Sequence, residues 1–222
     1  MAVSRIGSPY TNTSTAGATT LAVTISSTPQ IGDILVGAFA HATGNTQTTP
    51  GGWTNLGNDT TGTTGQIQLS TYWKKSDGTE TSVTFTTSAT TNALAAVVAV
   101  YRGGLDPIGY ASTGDNSGTT AITAGNLLNV LGGGACVNFG ANANASNTAY
   151  TNTTSGTGWS EIADIVAAGA ARSRALAVAE NLTSTGTVTG STFTWSATAS
   201  SHAASVLYIP AQLGSPLFFG SN

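Results

Sequence analysis

Apolar and polar residues alternate along much of this chain with the two-residue period of a β-strand. Between Gln66 and Lys75, the apolar residues Ile67, Leu69 and Trp73 stand at alternate positions, and most of the residues between them are polar. Successive side chains of a strand point to opposite faces of the sheet. The segment therefore predicts a strand with one face in the core and one wetter face.

The segment from Ala93 to Val100 has a different pattern, because it is apolar at every position. Such a run is typical of a central strand that is covered on both faces, and a short buried helix is the alternative that periodicity leaves open. The β-branched valines and the stop at Arg102-Gly103-Gly104 favour the strand.

Strand patterns recur through the whole chain, and each is bounded by Gly, Pro, Asn or Asp. The Asp77-Gly78 pair between two of them predicts a hairpin turn. Many short strands separated by turn signals are typical of an all-β protein, and we predict a jelly-roll-like or lectin-like antiparallel β-sandwich. The predicted strands are 20–26, 33–41, 53–57, 66–75, 82–86 and 92–101 in the first half, and 108–112, 127–130, 135–139, 159–164, 171–180, 191–196 and 201–209 in the second.

The strand patterns occur twice. The blocks Gly52-Trp53-Thr54, Thr84-Phe85-Thr86 and Ala95 to Tyr101 return as Gly158-Trp159-Ser160, Thr192-Phe193-Thr194 and Ala203 to Ile209. The displacement is 106 residues for the first block and 108 for the other two. Because three separate blocks keep nearly one register, we predict that the sandwich is built from two homologous halves.

The repeat sets the expected domain boundaries. We expect an N-terminal arm over residues 1–19, a sandwich over 20–212 with repeats at about 20–104 and 107–212, and a C-terminal tail over 213–222. The repeats are joined by a short turn without a Ser/Gly-rich or Pro-rich spacer. One sandwich assembled from both repeats is therefore favoured, and two tandem small sandwiches are the alternative.

The second repeat is expected to carry an insertion. Gly125-Asn126-Leu127-Leu128 aligns with Gly32-Asp33-Ile34-Leu35 at a displacement of only 93 residues, which predicts about 13 extra residues before Trp159. We place them in a long exposed loop at 140–158, where Tyr150 is the one large side chain. Loops of this kind on rigid scaffolds often bind partners. The run Gly132-Gly133-Gly134 predicts a bulge or a sharp bend.

Composition bears on the class of function. Charged residues make up 7% of the chain, against roughly 25% in an ordinary soluble domain. A free cytosolic monomer usually carries interspersed charges, so this surface suits a protein packed among partners. A net charge of -3 with six basic residues provides no footprint for nucleic acid. The sequence also has neither a membrane-spanning apolar run nor a secretory signal pattern, so we expect no membrane partner and no export.

Candidate catalytic groups are few. Glu161 and Asp164 are the most suggestive carboxylates, but three positions apart on a strand they are expected on opposite faces, unable to flank one glycosidic bond. Two histidines, His41 and His202, cannot make a three-His metal site, and His202 is expected at a strand start near a sheet edge. No nucleophile elbow or phosphate-binding loop occurs. We predict that the protein is not an enzyme and has no catalytic, metal or cofactor-binding residue.

Other candidate groups have structural interpretations. Cys136 is the single cysteine, and we expect a buried free thiol. The segments 58–60 and 115–118 offer oxygen atoms but not the spacing of a calcium loop, so Asx turns are favoured. The tryptophans are expected in the core rather than on a sugar-binding surface, and they are Trp53, Trp73, Trp159 and Trp195.

Core and turn residues of the first repeat form a distinctive pattern. They are Pro50-Gly51-Gly52-Trp53-Thr54, Tyr72-Trp73-Lys74-Lys75 with Asp77-Gly78-Thr79-Glu80, Thr84-Phe85-Thr86 and Ala99-Val100-Tyr101-Arg102-Gly103. This pattern resembles that of virion-associated proteins of tailed bacteriophages and prophages. The resemblance covers nearly the whole chain and carries over no catalytic position.

The resemblance implies a structural protein of the virion, made in the host cytoplasm. The first expectation is a capsid decoration or minor capsid protein that stabilises the shell, and the alternative is a minor tail or fibre protein with receptor or carbohydrate binding. Its partners would be the major capsid protein or other virion proteins, and further copies of this chain. The residues expected to contact them are Tyr150, Leu213, Leu217, Phe218 and Phe219.

Overall fold

The computed structural model describes residues 1–61, 67–91, 93–115, 119–144, 151–169, 172–196 and 201–212. Within these residues the regular elements are all β-strands, which confirms the all-β prediction. The strands are β1 Ser4–Arg5, β2 Tyr10–Ser14, β3 Ala18–Thr24, β4 Ile34–His41, β5 Gln47–Thr48, β6 Thr54–Thr61, β7 Ile67–Lys75, β8 Ser82–Thr91, β9 Leu94–Arg102, β10 Ile108–Asp115, β11 Ala121–Thr123, β12 Asn126–Val130, β13 Ala135–Asn144, β14 Asn152–Ser155, β15 Ser160–Ala168, β16 Ser173–Asn181, β17 Gly186–Thr189, β18 Thr192–Trp195 and β19 Ser201–Ile209.

The strands of each repeat form one large sheet and one smaller layer by antiparallel pairing. In repeat 1, which comprises β1 to β9, the large sheet has the order β1-β9-β4-β7-β6 with β2 also paired to β9, and the small sheet is β3-β8-β5. In repeat 2, which comprises β10 to β19, the large sheet is β10-β19-β13-β16-β15, and the smaller layer consists of β11-β18-β14 and β12-β17. The repeats thus share one strand order. The finer jelly-roll-like or lectin-like assignment stays a prediction.

The sheets stack in four layers. The two large sheets pack face to face, and their shared core contains Val97 of repeat 1 and Phe139 of repeat 2. Each smaller layer covers the outer face of its own large sheet, with Phe85 in the outer core of repeat 1 and Phe193 in that of repeat 2. The middle two layers are therefore buried on both faces.

Strand β9 shows why its sequence is apolar throughout. Val97 and Ala99 point into the central core, while Val98 and Val100 point into the outer core of repeat 1. All four are at most 1% exposed, and each fully buried valine is worth roughly 1.5–3 kcal/mol relative to an exposed one. The strand prediction is confirmed, and the helix alternative is wrong.

The two repeats pack with approximate two-fold symmetry. Strand β10 of repeat 2 lies against β6 of repeat 1, and β15 of repeat 2 lies against β2 of repeat 1, which is the same relationship with the repeats exchanged. The central strands follow the same rule, since β19 contacts β7 and β16 contacts β9. This is the geometry of an isologous dimer interface within one chain.

The hydrogen-bonded sheets are separate for each repeat, whereas the central core is shared between them. Short backbone contacts also cross from one repeat to the other. Val3 N donates to Gly133 O at 2.7 Å, and Leu105 N donates to Pro210 O at 2.8 Å. The segment expected as an N-terminal arm contributes β1 and β2, both paired with β9.

The register shows that the predicted alignment of Gly125 to Leu128 with Gly32 to Leu35 is wrong. Ile34 pairs with Tyr101, and Ala135 pairs in the same way with Ile209, so β13 is the counterpart of β4. The residues aligned from sequence lie instead at β12, which pairs with β17. The glycines before β13 form the turn that starts it, and Gly133 has a φ of +81°.

The predicted exposed loop at 140–158 is wrong over 140–144 and 152–155, which are strands, whereas residues 156–158 do form an exposed turn. Strand β13 continues to Asn144 and is buried over nearly its whole length, and β14 occupies Asn152–Ser155. The alternating small residues of this segment fit between two covering layers. Composition alone makes such a segment look like a loop. Residues 145–150 lie outside the described residues.

Candidate functional site

The five residues predicted to contact partners are not among those that the structure describes. Tyr150 falls within 145–150, and the segment 213–222 contains Leu213, Leu217, Phe218 and Phe219. The site must therefore be built from other residues.

Exposed apolar side chains collect at one end of the molecule, where β9 and β19 end. Met1, Leu105 and Leu131 are 81%, 42% and 62% exposed there. The N-terminal ammonium of Met1 donates to Gln212 O at 2.7 Å, so the two ends of the described chain meet at this place. We call this surface, formed by residues 1, 103–105, 131–133 and 210–212, the apolar end.

The apolar end contains a small cavity of about 110 Å³, large enough for one apolar side chain. Tyr208 forms one wall, and its hydroxyl group accepts a hydrogen bond from Leu131 N at 3.0 Å and donates one to Leu131 O at 2.9 Å. These two bonds fix the turn that carries the exposed Leu131. The cavity is lined by Leu105, Leu131, Gly132, Tyr208, Pro210 and Ala211.

Further exposed apolar residues extend this surface. Ile108 is 58% exposed and pairs across the sheet with Tyr208. Ile31 is 83% exposed and precedes Asp33, whose carboxylate accepts two hydrogen bonds from Arg102 at 2.9 and 2.8 Å. Ile108 and Ile31 thus add exposed apolar side chains near this end of the strands, beside the ion pairs Arg102–Asp33 and Lys75–Asp106.

A second candidate site lies on the edge strand β15. The register of β15 against β16 shifts between Glu161 and Ala163, which is a β-bulge at Ile162. A bulge adds one residue on one strand and reverses the alternation beyond it. Glu161 and Asp164 therefore face the same side, and the prediction that they point to opposite faces is wrong.

Asn152 of β14 holds both carboxylates. Its side-chain Nδ2 donates to Glu161 Oε2 at 2.8 Å, and its backbone N donates to Asp164 Oδ2 at 3.0 Å. Thr154 Oγ1 donates to the same Glu161 oxygen at 2.7 Å. Burial, and to a smaller extent the negative charge of Glu161, raise the pKa of Asp164, while the bond from Asn152 acts in the opposite direction.

Repeat 1 has the same arrangement with amides in place of carboxylates. A register shift between Asn55 and Gly57 marks the equivalent bulge in β6. Gln47 of β5 donates through Nε2 to Asn58 Oδ1 at 2.8 Å, and Asn55 Nδ2 donates to the same oxygen at 3.0 Å. Gln47 and Asn58 border a polar cavity of about 360 Å³.

Repeat 2 has a polar cavity of about 400 Å³ between β17 and the turn after β14. Its lining contains hydroxyl groups, backbone and Val188, and none of the described lining residues is charged. Trp159 lies beside it and donates through Nε1 to Thr189 O at 3.0 Å. Such a lining offers donors and acceptors to a neutral polar ligand.

The four tryptophans lie in or against the cores. Trp195 is 2% exposed and belongs to the outer core of repeat 2, with Trp159 packed against it. Trp53 packs against the outer core of repeat 1, and Trp73 packs against the central core. The prediction of core positions is confirmed for Trp195, and the other three tryptophans are partly buried against the cores.

Both histidines are fully buried. Burial lowers the pKa of His41 to about 4 and also lowers the pKa of His202. His202 lies near the start of strand β19, as predicted. That strand pairs with β10 on one side and β13 on the other, so the predicted place at a sheet edge is wrong. Cys136 is a buried free thiol as predicted, and burial raises its pKa to about 12.

Among the described residues, no three His, Cys, Asp or Glu side chains come together as metal ligands. A search of the same residues for a helix long and apolar enough to cross a membrane finds none. Comparison of the chain with protein-family models, with curated proteins and with solved structures gives no match.

Proposed function

We propose that this protein is a non-enzymatic structural component of a tailed-phage particle, a capsid decoration or minor capsid protein that stabilises the shell. The observation that carries the proposal is the apolar end, where Met1, Leu105 and Leu131 are exposed around a cavity. Exposed apolar patches of this kind mark protein contacts. The resemblance of the sequence to virion-associated proteins supplies the class of partner.

The rest of the surface supports the same proposal. Charged residues make up 7% of the chain, so copies packed at high density on a shell repel one another little. The four-layer stack, with its large sheets buried on both faces, provides a rigid body for such packing. A decoration protein needs one attachment surface and a stable body; the apolar end supports the first and the four-layer stack supports the second.

The proposal is tested by sedimentation with emptied and intact capsids. We expect the protein to bind at a stoichiometry fixed by the lattice, and the double substitution Leu105→Ser and Leu131→Ser to weaken binding at least tenfold. Leu128→Ser is the matched control, because Leu128 is 70% exposed but does not line the cavity. Recovery of the protein only on purified tails, or equal binding of all variants, would contradict the proposal.

Removal of residues 213–222 tests the predicted contacts of the tail separately. The deletion ends the chain at Gln212, so every described residue is kept, including the bond from Gln212 N to Gly103 O at 2.9 Å. We expect weaker capsid binding without the apolar residues Leu213, Leu217, Phe218 and Phe219. Unchanged capsid binding would show that the tail is not part of the attachment surface.

A tail or fibre protein that binds carbohydrate is the second candidate. The uncharged cavities of about 360 and 400 Å³ favour it, since hydroxyl and amide groups match a neutral sugar. A screen against neutral glycans should then give binding that Thr187→Val abolishes and Thr11→Val retains. Thr187 lines the larger cavity, whereas Thr11 lies on β2.

A further inference from the structure

We propose that the cavity of the apolar end is the docking site of the chain's own C-terminal tail, residues 213–222, and that one aromatic ring of the adjacent pair Phe218-Phe219 fills it. The docked tail becomes part of the surface that the apolar end presents. The inference concerns contacts within one chain, so it is tested without capsids. Its failure is therefore distinguishable from a failure of the proposed attachment to a shell.

The first argument is the place where the described chain ends. Ala211 lines the cavity and pairs with Gly104 in an antiparallel bridge. The next residue, Gln212, donates from its backbone N to Gly103 O at 2.9 Å. These contacts hold the start of the tail at the rim of the cavity. Residues 213–222 follow directly, so a single reversal of direction brings them back to the cavity.

The second argument is the order of residues in the tail. Gly214-Ser215-Pro216 is a run of turn-forming residues, and the apolar segment 217–219 comes directly after it. A reversal at 214–216 returns the apolar segment to the level of Pro210 and Ala211, which line the cavity. Successive side chains of an extended segment point to opposite sides. One of the two adjacent phenylalanines therefore faces the cavity whichever register the turn adopts.

The third argument is the match between the cavity and an apolar side chain. The cavity has a volume of about 110 Å³, and Leu105 and Leu131 beside it are 42% and 62% exposed. The hydroxyl group of Tyr208 already donates its proton to Leu131 O at 2.9 Å. Residues 213–222 contain no Lys, Arg, Asp or Glu. Docking of the tail therefore removes apolar surface from water without burying a charged side chain.

The covalent connection favours the chain's own tail over the tail of a second copy. The apolar segment 217–219 is tethered to Gln212 by four residues. A short flexible tether gives an effective concentration in the millimolar range, which is roughly a thousandfold above that of separate chains in a micromolar solution. The chain's own tail therefore occupies the cavity first.

The first test is limited digestion of the full chain with chymotrypsin, which cuts after large apolar residues. Mass spectrometry counts the cuts at 217–219 alone. Docking protects this segment, so Leu105→Ser combined with Leu131→Ser should raise the rate of cleavage there at least tenfold. Leu128→Ser is the matched control, because Leu128 is 70% exposed but does not line the cavity. Equal rates for the wild type and the double variant would overturn the proposal.

Disulfide trapping identifies the occupant while the cavity lining stays intact. An added Cβ at Gly132 of the lining would lie 3.3 Å from Thr185 Cγ2, so Thr185 marks the rim. With oxidised glutathione, Thr185→Cys combined with Gly220→Cys should form a disulfide within one chain. Thr46→Cys with Gly220→Cys should react at least tenfold more slowly, because Thr46 follows β4 at the opposite end of the sandwich. Cys136 is buried in all these variants. A covalent dimer, or equal rates for the two pairs, would overturn the proposal.

Discussion

Tyr101 of repeat 1 donates a hydrogen bond to Glu180 of repeat 2, with 3.0 Å between Oη and Oε2. Arg5 Nε donates to the same carboxylate oxygen at 3.1 Å. The positions related to this pair by the approximate two-fold symmetry are occupied by Ile209 and Trp73, both in or against the central core. At this pair of positions the contact between the repeats is thus polar in one place and apolar in the place related to it by the symmetry.

Tyr101→Phe should lower the free energy of unfolding by about 1–3 kcal/mol, because it removes one donor from a buried carboxylate. Urea unfolding measures the change. Tyr10→Phe is the control, since Tyr10 bonds to Ser27 near the surface and its loss should change stability by less than about 0.5 kcal/mol. Equal effects of the two substitutions would show that the contact with Glu180 does not stabilise the interface.

Gly140→Ala should destabilise the protein by about 3 kcal/mol. An added Cβ would lie 2.2 Å from Phe193 Cδ2, a distance that forces the ring or the strand to move. In repeat 1 the equivalent position is Phe39, which stacks on Phe85 with ring centroids 5.3 Å apart. In repeat 2, Phe193 alone fills the space that the Phe39 and Phe85 rings fill in repeat 1, so residue 140 must be glycine.

Thermal and urea unfolding of Gly140→Ala can be compared with Gly51→Ala, whose added Cβ meets no atom within 4 Å. The Gly51 variant should be as stable as the wild type. Phe193→Leu in the Gly140→Ala background should recover part of the loss, as a double-mutant cycle would show. A simple sum of the two single effects would contradict the steric explanation.

His41 should make the protein less stable as the pH falls from 6.5 to 4. In the folded state the neutral ring contacts Ala42 O through Nδ1 at 3.1 Å and Ser70 Oγ through Nε2 at 3.2 Å. Burial lowers its pKa to about 4, and the charge of Arg174 acts in the same direction. The unfolded chain therefore takes up a proton first, which favours unfolding by up to about 3 kcal/mol.

The free energy of unfolding measured from pH 8 to pH 4 tests this explanation. His41→Gln should have a smaller slope than the wild type between pH 6.5 and 4, and the same slope above that range. His202, whose pKa is lowered as well, leaves a residual slope in the variant. Parallel curves for the two proteins would exclude His41 as the source.

Glu80 should stabilise the protein at neutral pH. Burial acts to raise its pKa, but hydrogen bonds from Lys74 and Ser76 prevail and lower it to about 2. Lys74 Nζ lies 2.8 Å from Glu80 Oε1, and Ser76 Oγ lies 2.6 Å from Oε2. The contribution is complete above the unfolded pKa of 4.5 and is lost as the pH falls through about 2.

Glu80→Gln should therefore cost about 2 kcal/mol at pH 7 and should flatten the pH dependence of stability between 4.5 and 2. Asp106→Asn should have little effect, because Asp106 and Lys75 are both more than half exposed and surface ion pairs contribute little. Acid unfolding followed by circular dichroism distinguishes the two. A Glu80 variant as stable as the wild type would refute the role of this hairpin network.

Much of the fold follows from local sequence pattern. The alternation around Leu69 and the continuous apolar run around Val98 predict their strands, because burial on one or both faces is a property of each strand by itself. The repeated tryptophan positions, such as Trp195, likewise indicate core packing.

The candidate sites depend on features that are not local. The bulge at Ile162 adds one residue to β15, and no residue type there signals it, so the shared face of Glu161 and Asp164 could not be predicted. The apolar end brings Met1 beside Leu105 and Leu131, which are far apart in the sequence. Their meeting depends on how the two large sheets stack, and strand periodicity does not determine that.

Because the two repeats pack as an approximate two-fold pair within one chain, dilution of the protein does not separate them. Two separate chains with this interface would dissociate when their concentration fell below the dissociation constant. Here the join between β9 and β10 keeps the partners at a fixed, high effective concentration. The pairing is therefore a folding equilibrium of one molecule, and a single copy retains both repeats in place however few copies are present.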